Sequence, residues 1–148
     1  MGRRDKINYY LDIAEVVSER GTCLRRNYGA IIVKNDEIIS TGYVGAPRGR
    51  KNCTDIGKCI RIEKQIPSGE RYEICRSVHA EANAISKVAQ SGNSSKDATL
   101  YVTASPCLEC AKLIIQAGIK RVVYRDAYRL TDGIDLLRRA GIEVEQVD

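Results

Sequence analysis

Residues 99–125 read TLYVTASPCLECAKLIIQAGIKRVVYR, and this stretch decides the fold. Its first part, 99–105, is an apolar run that predicts a strand. Pro106 suits the turn into a helix, where a missing N–H costs little. The spacing then predicts a helix over 107–117 that stops at Gly118, and RVVYR at 121–125 predicts a second strand. Strands that alternate with helices of about ten residues make neighbouring strands parallel and put helices on the sheet faces. The pattern continues downstream with a helix over 132–140, stopped at Gly141, and a last short strand over 142–146. Upstream it includes a helix over 78–90. Further back, GAIIVKNDEIISTGYVG at 29–45 predicts a hairpin, with apolar runs at 30–33 and 38–39 joined by Asn35 and Asp36, residues suited to a tight turn. Ile7, Tyr10, Leu11, Ala14 and Val17 recur near helical spacing, so a first amphipathic helix is expected over 5–19, with Gly21 as its stop signal. The class is α/β, with no internal repeat and no low-complexity segment.

At 148 residues, 1–148 is expected to be one domain, and 43% hydrophobic residues suffice for a core whose aromatic part is all tyrosine. The N-terminus is polar and its apolar residues are periodic, which does not resemble a signal peptide. No apolar run approaches the roughly 20 residues needed to span a bilayer, so a soluble, cytoplasmic chain is expected. The net charge of +5 fits either a mildly basic surface or an anionic partner, a phosphorylated small molecule or a nucleic acid. Residues 45–76 break the pattern: they hold two of the three prolines, four glycines and three cysteines. That is long for a connection in a compact domain, so something should order it.

The chemistry-bearing residues are six cysteines and one histidine. In a reducing compartment, grouped cysteines signal metal binding or chemistry more often than disulfides. Cys107 and Cys110 lie three apart at a helix start, on one face, where exposed N–H groups and the helix dipole favour thiolate. Alone, such a pair could be a redox couple, half of a structural zinc site or two buried small residues. The lone His79 could simply be a satisfied polar residue at a helix start. Together, His79, Cys107 and Cys110 make three zinc ligands and leave the fourth position of a tetrahedral ion open, the pattern of a catalytic site. Zinc lowers the pKa of water in that position to about 7. Glu81, two residues from His79, can face the same water without binding the metal and move its protons.

His-x-Glu followed by Pro-Cys-x-x-Cys, here HAE at 79–81 and PCLEC at 106–110, is the signature of zinc nucleobase deaminases. The chain resembles the cytidine and deoxycytidylate deaminase superfamily, most of all its deoxycytidylate (dCMP) branch. The resemblance also runs through GAIIVKNDEIISTGYVGAPRG at 29–49, NCTD at 52–55, HAEANAI at 79–85 and LYVTASPCLECAKLIIQAGIKRVVY at 100–124. It implies a three-layer α/β/α fold with a five-stranded mixed sheet. It implies zinc-dependent hydrolytic deamination of a cytosine nucleotide, dCMP to dUMP and ammonia, with Glu81 as proton carrier. By the same resemblance the backbone at Ala104 and Ser105 meets the base edge, Tyr128 lies against the substrate and Arg25 meets the phosphate. Tyr43 and Asn83 are further pocket candidates. The family also commonly forms homohexamers.

Two points qualify the resemblance. The family's Gly-Tyr-Asn-Gly reads GYVG here, and Val44 cannot hydrogen-bond a sugar or phosphate group. The chain is therefore expected to be unregulated, or differently regulated, by nucleoside triphosphates. Several dCMP deaminases carry a second, structural zinc, and Cys23 and Cys53 match positions that bind it; Cys75 could be a third ligand and Cys59 a fourth. A closed zinc site would order the 45–76 insert. These four cysteines contain no CxxC, and buried free thiols or a disulfide are the alternatives. Two other functions compete: a polynucleotide deaminase, such as a tRNA adenosine deaminase, and a zinc-stabilised nucleic-acid-binding module without catalysis. The cysteine-bearing insert and NCTD favour a mononucleotide enzyme over the first, and Glu81 has no use in the second.

Overall fold

The computed structural model describes residues 2–147. Its strands are β1 (Gly29–Lys34), β2 (Glu37–Tyr43), β3 (Thr99–Ala104), β4 (Arg121–Asp126) and β5 (Glu143–Gln146). Its helices are α1 (Lys6–Ser18), α2 (Cys53–Ile56), α3 (Ile60–Glu63), α4 (Ala80–Ser91), α5 (Leu108–Gln116) and α6 (Asp132–Arg139), with a 3₁₀ turn at Tyr72–Ile74. The strands form one mixed sheet in the order β2-β1-β3-β4-β5. β1 runs antiparallel to both β2 and β3, whereas β3, β4 and β5 are mutually parallel. The parallel half follows from the two crossover helices α5 and α6. The antiparallel half follows from the hairpin at Asn35 and Asp36, whose φ values of 52° and 61° give a turn that matches the twist of the flanking strands.

Strand alternation divides the core in two. Ile31, Val33, Tyr101 and Val123 face Tyr10, Leu11 and Ala14 of α1. Ala30, Ile32, Leu100, Val102, Val122 and Tyr124 face the other way, onto α4, α5 and α6 through residues such as Ala84, Ile114 and Leu137. The result is the expected α/β/α layering. Among the described residues, no helix is long and apolar enough to cross a membrane.

β2 runs to Tyr43, past the apolar pair at 38–39 and within the stretch expected to form the hairpin. Its buried positions in the second half, Ser40 and Gly42, are small because α4 packs directly on them. Ser40 is buried and donates from Oγ to the Ala84 carbonyl at 2.7 Å. A Cβ on Gly42 would stand 2.3 Å from the Ala80 oxygen and 2.5 Å from the Ala84 nitrogen. Only glycine lets the first turn of α4 come this close to the sheet.

The 45–76 insert is ordered by local caps and a few long contacts. Asn52 and Asp55 form a capping box at the start of α2. The Asn52 side-chain oxygen also accepts from Thr22 Oγ1 and from the Ala46 N–H, each at 3.0 Å, so NCTD is tied to the start of the insert and to the segment after α1. Further along, Arg61 lies over the Tyr72 ring, and Arg129 donates to the Ser68 carbonyl. An isolated bridge between Gly45 and Val78 closes the base.

The packing at Gly42 generates a prediction. Gly42→Ala is expected to lower the unfolding free energy by about 3 kcal/mol, the upper end for overpacking, because the added methyl meets backbone rather than a flexible side chain. Urea denaturation at pH 7 measures this; a loss below about 1 kcal/mol would show that α4 is free to shift.

Candidate metal centre and substrate pocket

His79 is the N-cap of α4 and Cys107 the N-cap of α5, both with extended backbone. Cys110 sits in the first turn of α5 and is buried. His79 Nδ1 lies 3.5 Å from Cys107 Sγ and 3.4 Å from Cys110 Sγ. The three ligand atoms all fall within 4.8 Å of one another. Donors at about 2.0–2.3 Å from a tetrahedral ion stand about 3.5 Å apart, so this set fits zinc with one position left over.

Local packing accounts for the convergence. The Asn83 amide donates to the Tyr43 carbonyl at 2.7 Å and to the Val78 carbonyl at 3.2 Å, tying the first turn of α4 to the end of β2. On the other side, Ser105 N–H donates to the Asp126 carbonyl at 2.9 Å, holding the β3–α5 turn to β4. The start of α6 presses on the same turn: a Cβ on Gly133 would stand 2.3 Å from the Pro106 oxygen.

Charge is distributed unevenly over the cluster. The Cys107 thiol is pushed down to about 4, first by a hydrogen bond from Cys110 and then by His79, against the opposing effect of burial. Cys110 moves the other way because it supplies that hydrogen bond and is itself buried. Burial pulls His79 towards neutrality, yet the neighbouring Cys107 and Glu81 outweigh it and raise its affinity for a proton. Glu81 is only 6% exposed, and burial pushes its carboxyl up, partly offset by His79.

His79, Glu81 and Cys107 line one side of a cavity of about 500 Å³. Of the residues expected to meet substrate, Arg25, Ala104, Ser105 and Tyr128 also line it. Ser105 Oγ accepts from the Tyr128 N–H at 2.8 Å, which fixes the loop carrying that tyrosine. Tyr43 and Asn83 are not in the lining. Asn83 spends its amide on backbone carbonyls, and the Tyr43 ring faces the cations of Arg20 and Lys87, at 5.9 and 5.6 Å. Val44 does line the cavity and is buried, an apolar surface where the family asparagine would offer an amide.

The remaining cysteines, Cys23, Cys53, Cys59 and Cys75, are free thiols that all border the same cavity. Among the described residues, no three of their sulfurs approach within 4.8 Å of one another, unlike the His79 cluster. Cys53 Sγ lies 3.7 Å from Ser77 Oγ, and Cys23 Sγ accepts from the Arg25 N–H at 3.4 Å.

Two pocket residues escaped the sequence reading. Tyr72 meets the His79 ring edge-on, with centroids 4.8 Å apart, and its hydroxyl is 2.8 Å from the Tyr128 hydroxyl. Arg61 is 7% exposed, with its guanidinium carbon 4.6 Å from the Tyr72 ring centroid. Both belong to the irregular insert, where no periodicity distinguishes an inward side chain from an outward one.

Comparison with known proteins agrees with this geometry. Residues 4–126 match the family model described as the cytidine and deoxycytidylate deaminase zinc-binding region. The deoxycytidylate deaminase of Enterobacteria phage T4 is 38% identical, over 96% of this chain and 90% of its own length. That of Schizosaccharomyces pombe is 35% identical over 94% of this chain, which spans only 43% of the yeast protein. Among solved structures, the dCMP deaminase of cyanophage S-TIM5 in complex with dCMP and dUMP superposes with a TM-score of 0.81 at 38% identity, covering 99% of this chain and all of its own. With its donor cluster, its mixed sheet and these relatives in agreement, the chain belongs to the cytidine and deoxycytidylate deaminase family.

Proposed function

We propose that this protein is a zinc-dependent hydrolase that converts dCMP to dUMP and ammonia. One observation carries the reading: the His79, Cys107 and Cys110 donors are gathered within 4.8 Å, and the buried carboxyl of Glu81 borders the same cavity. At about 500 Å³ the cavity is in the range of small-molecule sites. The activity named for the phage and yeast relatives supports the substrate, as do the dCMP and dUMP bound by the S-TIM5 protein.

Zinc held by His79, Cys107 and Cys110 would supply the Lewis acidity that makes water a nucleophile near neutral pH. Glu81 carries the protons. Its burial strengthens its hold on a proton, so its carboxylate can take one from the attacking water and pass it to the ring nitrogen. It then helps the exocyclic amine leave as ammonia, and the carbon that bore the amine ends with the oxygen of water. The backbone at Ala104 and Ser105 meets the base edge, Tyr128 flanks the nucleotide, and Arg25 reaches its phosphate. Asn83 acts from behind the pocket, by holding the first turn of α4. The insert carries Tyr72 onto His79, which favours a free nucleotide over a polynucleotide in the same pocket.

The reading extends to a second, structural zinc on Cys23, Cys53, Cys59 and Cys75. Their shared wall and free state support it, although their sulfurs would have to draw together to close on an ion. Family resemblance supports a homohexamer.

Purified, zinc-loaded protein should release ammonia from dCMP. Glu81→Gln is expected to cut that rate by at least about 100-fold while keeping its zinc, since the carboxyl moves protons and is not a ligand. An active Glu81→Gln variant would sink the assignment. Elemental analysis tests the metal sites: two zinc ions per chain are expected, with Cys53→Ser retaining one and Cys107→Ser losing the catalytic ion. One zinc in the parent protein, unaffected by Cys53→Ser, would eliminate the structural site.

A further inference from the structure

The cavity lining is rich in positive charge. It includes four arginines, Arg25, Arg26, Arg61 and Arg76, and only one carboxylate, Glu81, which stands beside the metal-ligand cluster. Arg26 is exposed and Arg25 and Arg76 are half-buried, whereas Arg61 is more than nine-tenths buried. Among the described residues it makes no ion pair. Its Nη1 reaches the Glu70 carbonyl only at 3.4 Å, and its Nε is buried without a hydrogen-bond partner. Arg25 Nη1, on the same cavity, is likewise buried and unpartnered. A buried cation without a counter-charge is costly to keep unless something negative enters beside it.

Position adds to charge. The Arg61 guanidinium packs on the ring of Tyr72, at 4.6 Å from its centroid, and the same ring touches His79, at 4.8 Å. Arg61 and His79 thus contact the same tyrosine ring. The stacking also holds the planar guanidinium in one orientation, which suits two-point binding of a phosphate.

We propose that Arg61, carried by the 45–76 insert, joins Arg25 in holding the 5′-phosphate of the substrate and sets the preference for a nucleotide over a nucleoside. The inference rests on the nucleotide-deaminase reading above. It turns the insert from a connection into a specificity element. The competing role for Arg61 is to balance negative charge on the neighbouring cysteines.

The test uses the full-length, zinc-loaded protein. Product affinity is measured by calorimetry for dUMP and for deoxyuridine, the rate is measured on dCMP and on deoxycytidine, and zinc is counted per chain. Arg61→Gln is expected to reduce the preference for dUMP over deoxyuridine, and for dCMP over deoxycytidine, by at least about tenfold, the loss of one charge-assisted hydrogen bond. Arg61→Lys, which keeps the charge but not the fork, should fall between the two. In the unmutated protein, dUMP but not deoxyuridine should shift the Arg61 Nε–H resonance, a readout independent of whether the variants fold. An unchanged preference, an unmoved resonance, or loss of zinc with dUMP affinity intact would overturn the proposal. Failure of the parent protein to deaminate dCMP would instead overturn the reading beneath it.

Discussion

The meeting of two helix N-termini is the constraint on which the rest of this structure depends. His79 begins α4 and Cys107 begins α5, and His79 Nδ1 lies 3.4–3.5 Å from the sulfurs of Cys107 and Cys110. Each helix start brings unpaired N–H groups and the positive end of a dipole, which favours thiolate at the cluster. Holding two such ends together requires close backbone packing on both sides. Gly42 allows α4 to sit against β2, and Gly133 allows α6 to brace the turn before α5. Ser40 and Asn83 then satisfy the carbonyls that this approach exposes. The sheet, the hairpin and the crossover helices can be read as the scaffold that keeps these two ends facing each other.

Around that centre the pocket is rich in cations. Four arginines line it against a single carboxylate, Glu81, and Cys23, Cys53, Cys59 and Cys75 border the same cavity. Tyr72 touches both His79 and Arg61 through its ring, and Tyr128 through its hydroxyl. These contacts pack the insert against the His79 cluster. This packing gives the irregular segment a place in the pocket wall that its composition alone would not suggest.

Much of the fold was legible in the sequence, for reasons that differ by element. The β3–α5–β4 unit was readable because each part is long, apolar and properly punctuated, by Pro106 and Gly118. The hairpin was readable because Asn35 and Asp36 are residues that tolerate the left-handed turn they adopt. Within β2, Ser40 and Gly42 lack strand-like side chains; their small size answers to the α4 backbone packed on them. The expected pocket roles divided in the same way. Arg25, Ala104, Ser105 and Tyr128 reach the cavity, whereas Tyr43 and Asn83 are turned to other tasks by contacts made across the α4–β2 interface.

The sequence by itself marked out the candidate chemistry: HAE and PCLEC supply three donors suited to a metal and one carboxylate suited to proton transfer, by residue type and spacing, because ligand and acid–base chemistry belong to side chains. It also determined the order of strands and helices, through periodicity and turn residues that act locally. Only the tertiary structure decided what fills the rest of the pocket. Arg61 and Tyr72 come from a segment without periodicity, and whether such side chains point inward depends on contacts with residues far away in the chain. The Tyr72–Tyr128 pair joins residues 56 positions apart, and no local rule foretells it.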